Sequence, residues 1–326
     1  VRTQDRRPLG RSAVRVTALS FGSAAIGGLY APVPDEGAAG TVRRALDRGM
    51  RYLDTAPHYG AGTAERRLGA VLRDEPRESY TISTKAGRLL RPAATGQRPD
   101  DAGFPGEPPV RRVWDFSGDG IRRSLEESLD RLGLDRVDVL YLHDPDEHEE
   151  QVYAEAFPAL AKLRDEGVVG AVGVGMNQAA MPARFVRRLD LDVVLCAGRY
   201  SLLDQSALAE LLPACAERGT SVVAGGVYNS GLLAGGTTYD YRPAPAGLRE
   251  RVARMRRVCE AHGVPLAAAA LRFPLGHPAV ASVLVGCRTP DEADRNAAMF
   301  ERDVPTALWD DLRAAGLLDA AVPVPS

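Results

Sequence analysis

The stretch DGIRRSLEESLDRLGLDRVDVLYLH, residues 119–143, decides how the rest of the chain is read. Ile121, Leu125, Leu129 and Leu132 recur at helical spacing and make one apolar stripe, with Ser117 or Asp119 placed to cap its start. Gly133 follows the stripe, where a left-handed residue commonly ends a helix. The run 137–142 is then apolar, β-branched and too short for a helix, so it reads as a strand. The unit is helix, glycine stop, strand.

Working outward, the unit repeats. Helical patterns lie at 36–48, 119–132, 151–166, 204–218 and 248–262, stopping at Gly49, Gly133, Gly167, Gly219 and Gly263. Strand-like runs lie at 51–55, 80–84, 137–142, 171–174, 193–196, 221–224 and 282–285, with 16–20 as a candidate eighth. Most are nearly continuous in apolar residues, as expected of parallel strands covered on both faces. Eight strands alternating with helices predict an α/β fold, a (β/α)8 TIM barrel, in preference to an open doubly wound sheet. The glycine-rich segment 22–28 lacks the Gly-x-Gly-x-x-Gly spacing of the open dinucleotide-binding fold. Two long Pro- and Gly-rich loops, 88–117 and 226–247, are assigned to one face. A hairpin turning at 8–12 is assigned to the opposite end, and one barrel domain is expected over 1–326.

Composition narrows the function classes. With 41 basic against 43 acidic residues the net charge is −2, so no basic field favours nucleic acid or an anionic membrane. No apolar run reaches the length of a membrane span, and the first residues lack the apolar core of a signal peptide. Cys196, Cys215, Cys259 and Cys287 are far apart in sequence and read as free, buried thiols of a cytoplasmic protein. Neither they nor the five scattered His residues show metal-ligand spacing, so no metal is expected. Only Lys85 and Lys162 are lysines, the other 39 basic residues being Arg, which draws attention to Lys85 at the end of a strand.

In a barrel, polar residues at strand C-terminal ends face the active-site mouth. Asp54 ends the second strand with Tyr59 just beyond, Lys85 ends the third, His143 ends the fourth, and Asn177 follows the fifth. Taken singly, each has a plainer reading: Asp54 as a turn residue, Tyr59 as a packed loop aromatic, Lys85 as a strand-end charge, His143 as a structural histidine. Together they bring an acid, a phenol, an amine and an imidazole to one mouth.

The segment GMRYLDTAPHYG, 49–60, resembles the active-site signature of the aldo-keto reductases, and Lys85 and His143 match that family's other two catalytic positions. The resemblance runs from about residue 8 to about residue 316. It implies a barrel binding NAD or NADP without a Rossmann domain, and hydride transfer between nicotinamide C4 and a carbonyl carbon. Tyr59 would be the proton donor or acceptor, with its phenol made more acidic by the Lys85 ammonium. Asp54 would hold Lys85 charged, and His143 would bind the substrate oxygen. Asn177 would bind the carboxamide, with Ser23 counted among the cofactor contacts. Asn229, Ser230, Gly231 and Leu232 would wrap the pyrophosphate, and Gly286, Arg288, Glu292 and Asn296 would hold the adenosine end.

Three departures from many relatives stand out. Met176 replaces a Ser beside Asn177. Gly225-Gly226 lie where a Tyr stacks on nicotinamide, leaving Tyr228 as a group to cover the ring. Glu292 lies where phosphate-binding relatives carry Arg; its charge would repel a 2′-phosphate, so NAD is favoured over NADP, with Arg288 still able to reach a phosphate. The segments 225–234, 198–200 and 143–146 resemble a branch of D-threo-aldose, L-fucose and pyridoxal dehydrogenases. That branch implies oxidation of an aldose at C1 to its lactone, with His58, Trp114 and Asp144 as sugar contacts. The alternatives are a broad NADPH-dependent aldehyde or ketone reductase, a pyridoxal dehydrogenase, or a noncatalytic nucleotide-binding subunit. Oligomeric state is not legible.

Overall fold

The computed structural model describes residues 1–93, 103–240 and 242–325. Eight strands close into one parallel barrel: β1 Leu19–Gly22, β2 Tyr52–Asp54, β3 Thr81–Ala86, β4 Val139–His143, β5 Ala171–Met176, β6 Val193–Ala197, β7 Ser221–Gly225 and β8 Val280–Gly286. Neighbours follow chain order, and β8 pairs with β1 to close the ring. The expected (β/α)8 barrel is therefore the fold.

The expected first strand, 16–20, is split. Arg15–Thr17 pairs antiparallel with Arg6–Pro8, and the barrel strand begins only at Leu19. Thr17 makes the switch: its Oγ1 donates to Leu19 O (2.8 Å) and accepts from Tyr52 N (3.0 Å). The hairpin closes the N-terminal end of the barrel, as anticipated. Leu9 is fully buried with Val139, Ala171, Val193 and Val223, and Gly10 N donates to Ser221 Oγ (2.7 Å) where β7 starts.

Helix boundaries differ where local chemistry intervenes. The pattern at 119–132 is the helix Gly118–Leu132; Ser117 Oγ caps it by accepting from Gly120 N (3.0 Å), and Gly133 ends it at φ 62°. The pattern at 151–166 widens into a π-helical turn, Val152–Ala156, before Phe157–Asp165. The pattern at 204–218 is a short turn followed by Leu211–Arg218, with Pro213 confined to the first helical turn. Helices Thr63–Leu72, Ala180–Arg188, Pro290–Phe300 and Thr306–Ala314 were not read from the sequence. Of the two long mouth loops, the first holds the hairpin Arg88–Pro92 with Val110–Trp114, and the second holds Thr238–Tyr239 with Arg242–Pro243. Residues 94–102 and 241, which belong to those loops, lie outside the described residues. All four cysteines are buried and free. Among the described residues no helix is long and apolar enough to cross a membrane.

Two contacts carry this frame to the site. Glu65 on Thr63–Leu72 is fully buried; it accepts from Thr84 Oγ1 (2.8 Å), beside Lys85, and pairs with Arg131. Gly69 lets the same helix pack against the end of Gly118–Leu132, since a Cβ there would lie 1.9 Å from Leu132 O. Gly69→Ala therefore has to push two helices apart. It is expected to cost about 1–3 kcal/mol, read as a lowered thermal unfolding midpoint.

Candidate active site

Strand register stacks side chains in two layers inside the barrel. Residues two apart on a strand share a face, so Tyr52 and Asp54, Ser83 and Lys85, and Tyr141 and His143 each project the same way. Asp54 lies beside Ser83, Lys85 beside Tyr141 and His143 beside Gly175 in the pairing. The lower layer is a phenol pair and a hydroxyl: the Tyr52 and Tyr141 hydroxyls are 2.8 Å apart, and Tyr52 Oη lies 3.0 Å from Ser83 Oγ. Ser83 Oγ then donates to Asp54 Oδ1 (2.7 Å), which ties this layer to the one above.

In the upper layer, the Lys85 and Asp54 side chains are each 1% exposed. Lys85 Nζ donates to Asp54 Oδ2 (2.6 Å), Thr55 O (2.8 Å) and Tyr59 Oη (3.1 Å). An ammonium has three N–H donors, and all three are used. Burial alone would lower the Lys85 pKa, but Asp54 and Tyr59 outweigh it and raise it. Gly175 leaves room for this chain, because a Cβ there would already touch Lys85 Cε at 3.5 Å.

Half-buried Tyr59 sits on a turn that needs glycine next to it. At Gly60 φ is 58°, and a Cβ would fall 2.1 Å from Gly27 O. Burial raises the Tyr59 pKa, the Lys85 charge pulls it back down, and Asp54 raises it again. The ammonium therefore offsets the burial of the phenol without bringing its pKa below the ordinary value in the ligand-free chain. The His143 ring stands edge-on to Tyr59, with centroids 5.8 Å apart. Burial, then Arg88, Lys85 and His58, hold the His143 pKa well below normal, so the imidazole is neutral. His58 is neutral too: burial first, then Arg88, Arg112 and Lys85, bring its pKa to about 2.

The structure thus brings Asp54, Tyr59, Lys85 and His143 together. Of the remaining candidates, Asn177 is exposed just past β5, and Met176 beside it is buried. Ser23 is buried past β1, its backbone N–H donating to Asp54 O (3.0 Å). Asn229, Ser230 and Gly231 all have positive φ, and Leu232 opens a short 3-10 turn. The Asn229 side chain is engaged within the chain, accepting from Ser201 Oγ (2.7 Å) and donating to Gly198 O (3.4 Å). The Tyr228 hydroxyl donates to Asn296 Oδ1 (2.9 Å), which directs it to the helix after β8. Asn296 Nδ2 in turn meets Cys287 Sγ (3.3 Å). Past the end of β8 at Gly286, Glu292 accepts from Arg288 N (2.7 Å), and Arg288 Nη2 donates to Leu29 O (2.8 Å).

His58 and Trp114 both reach the mouth. His58 meets Phe104 edge-on at 5.5 Å. Trp114 is 45% exposed and lies under the Arg88 guanidinium, 4.3 Å from ring centroid to Cζ. Asp144 pairs with Arg88. Sequence reading missed Ser83, Tyr52 and Tyr141, whose roles depend on register. It also missed Arg88 and Phe104, which sit in the long loop. The one available signal for Arg88 was its place three residues past Lys85.

The buried polar atoms suit a dinucleotide. Among the described residues, Ser23 Oγ, His143 Nδ1 and Arg288 Nε are all buried without a hydrogen-bond partner. They belong to the ends of β1 and β4 and the loop after β8, so the ring of strand ends holds donors and acceptors that a bound ligand would satisfy.

A model of the Aldo/keto reductase family matches residues 18–316. The chain belongs to the aldo/keto reductase family. It is an NAD(P)-dependent oxidoreductase. It is 46% identical to a D-threo-aldose 1-dehydrogenase of a Pseudomonas species, covering 93% of this chain and 95% of that one. It is 41% identical to a pyridoxal 4-dehydrogenase of Microbacterium luteolum, covering 98% and 99%. An aldo-keto reductase from Bacillus halodurans, solved in its holo form, superposes with a TM-score of 0.76 at 26% identity, covering 98% of each chain.

The coupling of Asp54, Lys85 and Tyr59 fixes the sign of a pH effect. In Asp54→Asn, Lys85 loses its main counter-charge, burial prevails, and its pKa falls. A neutral amine no longer offsets the burial of Tyr59, so the phenol pKa rises. The pH profile of substrate oxidation is expected to move to higher pH, with turnover at neutral pH down by at least ~10-fold.

Proposed function

We propose that the chain oxidises an aldose at C1 to its lactone, with Tyr59 as general base and NAD⁺ as the favoured cofactor. The observation that carries this reading is the 3.1 Å contact between the Tyr59 hydroxyl and a lysine whose other two N–H bonds are fixed by Asp54 and Thr55. A phenolate at Tyr59 has its counter-charge in place before substrate arrives, so the anomeric hydroxyl can give up its proton there. Neutral His143 lies beside Tyr59 and holds the same substrate oxygen without competing for that proton. Bound nicotinamide supplies the acceptor for the C1 hydride.

Ser23 and Asn177 suit the nicotinamide end; Ser230, Gly231 and Leu232 suit the pyrophosphate; Gly286, Arg288, Glu292 and Asn296 suit the adenosine. Tyr228 and Asn229 support these loops through Asn296, Ser201 and Gly198. The choice of NAD rests on Glu292, whose carboxylate is fixed in the first helical turn after β8, while Arg288 is turned toward Leu29. His58, Trp114 and Asp144 are the substrate contacts, and the aldose assignment follows the D-threo-aldose 1-dehydrogenase relative. A second reading is favoured by Phe104, buried beside His58 and 6.3 Å from the Tyr59 ring. That aromatic wall suits a flat aldehyde such as pyridoxal.

The purified enzyme is expected to reduce NAD⁺ faster than NADP⁺ with L-fucose or D-arabinose, forming the lactone. Tyr59→Phe is expected to lower this turnover at least ~100-fold while NADH fluorescence titration gives an unchanged Kd. Pyridoxal as the only oxidised substrate would favour the second reading. Aldehyde reduction confined to NADPH, with no sugar oxidised, would reject the aldose assignment.

A further inference from the structure

Arg88 follows Gly87 at the end of β3, where φ is 105° and a Cβ would lie 2.3 Å from Phe116 Cε1. The turn allowed by that glycine starts the hairpin strand Arg88–Pro92. Asp144 directly follows His143 at the end of β4 and has φ 42°, a region sparsely used by residues carrying a Cβ. The two side chains meet as an ion pair only 10% and 18% exposed. Asp144 Oδ2 also lies 3.6 Å from His143 Nε2. The pair is therefore adjacent to the imidazole at the reacting end of the mouth.

A buried ion pair that only fastens two loops is stable when its remaining donors and acceptors are also met. This one is incomplete. Oδ2 makes both contacts of Asp144, and among the described residues Oδ1 accepts no hydrogen bond. Arg88 uses Nη2 for Asp144, and among the described residues its Nη1 donates no hydrogen bond. The guanidinium lies over the Trp114 ring, which holds it in place before anything binds. One acceptor, Oδ1, and one donor, Nη1, are left over on the ion pair that adjoins His143. A hydroxyl both donates and accepts, so two hydroxyls on neighbouring carbons can meet both.

We propose that Arg88 and Asp144 form a clamp that reads the hydroxyls on the two carbons that follow the reacting carbonyl carbon. The pair carries no net charge, which suits a neutral polyhydroxy substrate rather than a carboxylate or a phosphate ester. This rests on the polyhydroxy half of the proposed function, but not on C1 oxidation itself.

The test compares two three-carbon aldehydes, glyceraldehyde and propionaldehyde, as substrates for NADH-dependent reduction. They differ only in the hydroxyls on the two carbons that follow the carbonyl. The wild-type kcat/KM is expected to favour glyceraldehyde by at least ~10-fold. In Asp144→Asn, nearly isosteric, and in Arg88→Lys, that ratio is expected to fall by at least ~10-fold, through KM more than kcat, as for loss of a hydrogen bond to a charged group. NADH fluorescence titration reports whether each variant is folded, and Asp144→Asn decides if Arg88→Lys is not. A wild-type ratio near one, no glyceraldehyde reduction, or an equal loss on both aldehydes would overturn the clamp. A ratio that collapses as expected in an enzyme that oxidises no aldose keeps the clamp and removes the C1 assignment. Aldose oxidation with a ratio untouched by either variant does the reverse.

Discussion

A lysine ammonium with no exposure to water is the constraint around which the barrel mouth is arranged. An isolated buried charge is strongly unfavourable, so Lys85 can stay charged only if every N–H finds an acceptor. Asp54, Thr55 and Tyr59 are those acceptors, and they come from one short segment that begins at the last residue of β2. That requirement fixes the register of β2 against β3. It also calls for a small residue at Gly175, and it holds the Tyr59 turn against Gly27 through Gly60. The phenol is thus an acceptor in a charge-satisfaction problem before it is a proton carrier. Its chemistry follows from being the one acceptor of the three that carries a proton to exchange.

The layer below continues the same logic. Asp54 uses Oδ2 for Lys85 and needs a donor at Oδ1, which Ser83 supplies. Ser83 is in turn linked to Tyr52, and Tyr52 to Tyr141. A barrel interior of this kind is filled by side-chain layers from alternate positions. Here one layer is a hydroxyl network and the layer under it, around Leu9, Val139, Ala171 and Val193, is apolar. The change from apolar floor to hydroxyls to ion pair grades the interior from dry packing to a reactive surface.

How legible this was in the sequence depends on the range of the interaction. The strands were readable because both faces are covered, which leaves short, nearly continuous apolar runs. The helix Gly118–Leu132 was readable because Ser117, its stripe and Gly133 all lie within about four turns of chain. The four mouth residues were readable because strand ends are where a parallel barrel places polar groups. The first strand was misread by a few residues, since Val16 and Thr17 are as β-prone as Leu19 and only pairing with Arg6–Pro8 separates them. Helices such as Thr63–Leu72 were missed because half their surface is buried and the polar face is short. Ser83 and Tyr141 carried no signal at all: a hydroxyl in a strand gains its meaning from the residue across the ladder. Asn229 illustrates the converse. A polar residue in a glycine-rich loop reads as a ligand contact, yet its amide joins two loops of the barrel rim.

The division of labour between strands and loops explains why chemistry and substrate choice separate in such a fold. Lys85, Asp54 and His143 are on strands whose neighbours are fully buried, so a change there disturbs the core and the proton site together. Arg88, Phe104 and Trp114 stand on the hairpin and loop that cross the mouth, outside the strands of the barrel. The Arg88 charge still reaches inward. Arg88 is the largest cause, after burial, of the low pKa of both His143 and His58. A loop residue therefore adds to burial in keeping two imidazoles neutral at the site, and a neutral imidazole can bind a substrate oxygen without drawing the proton that Tyr59 must receive. Substrate recognition can thus be rebuilt in the loops, provided that whatever replaces Arg88 still leaves those rings uncharged.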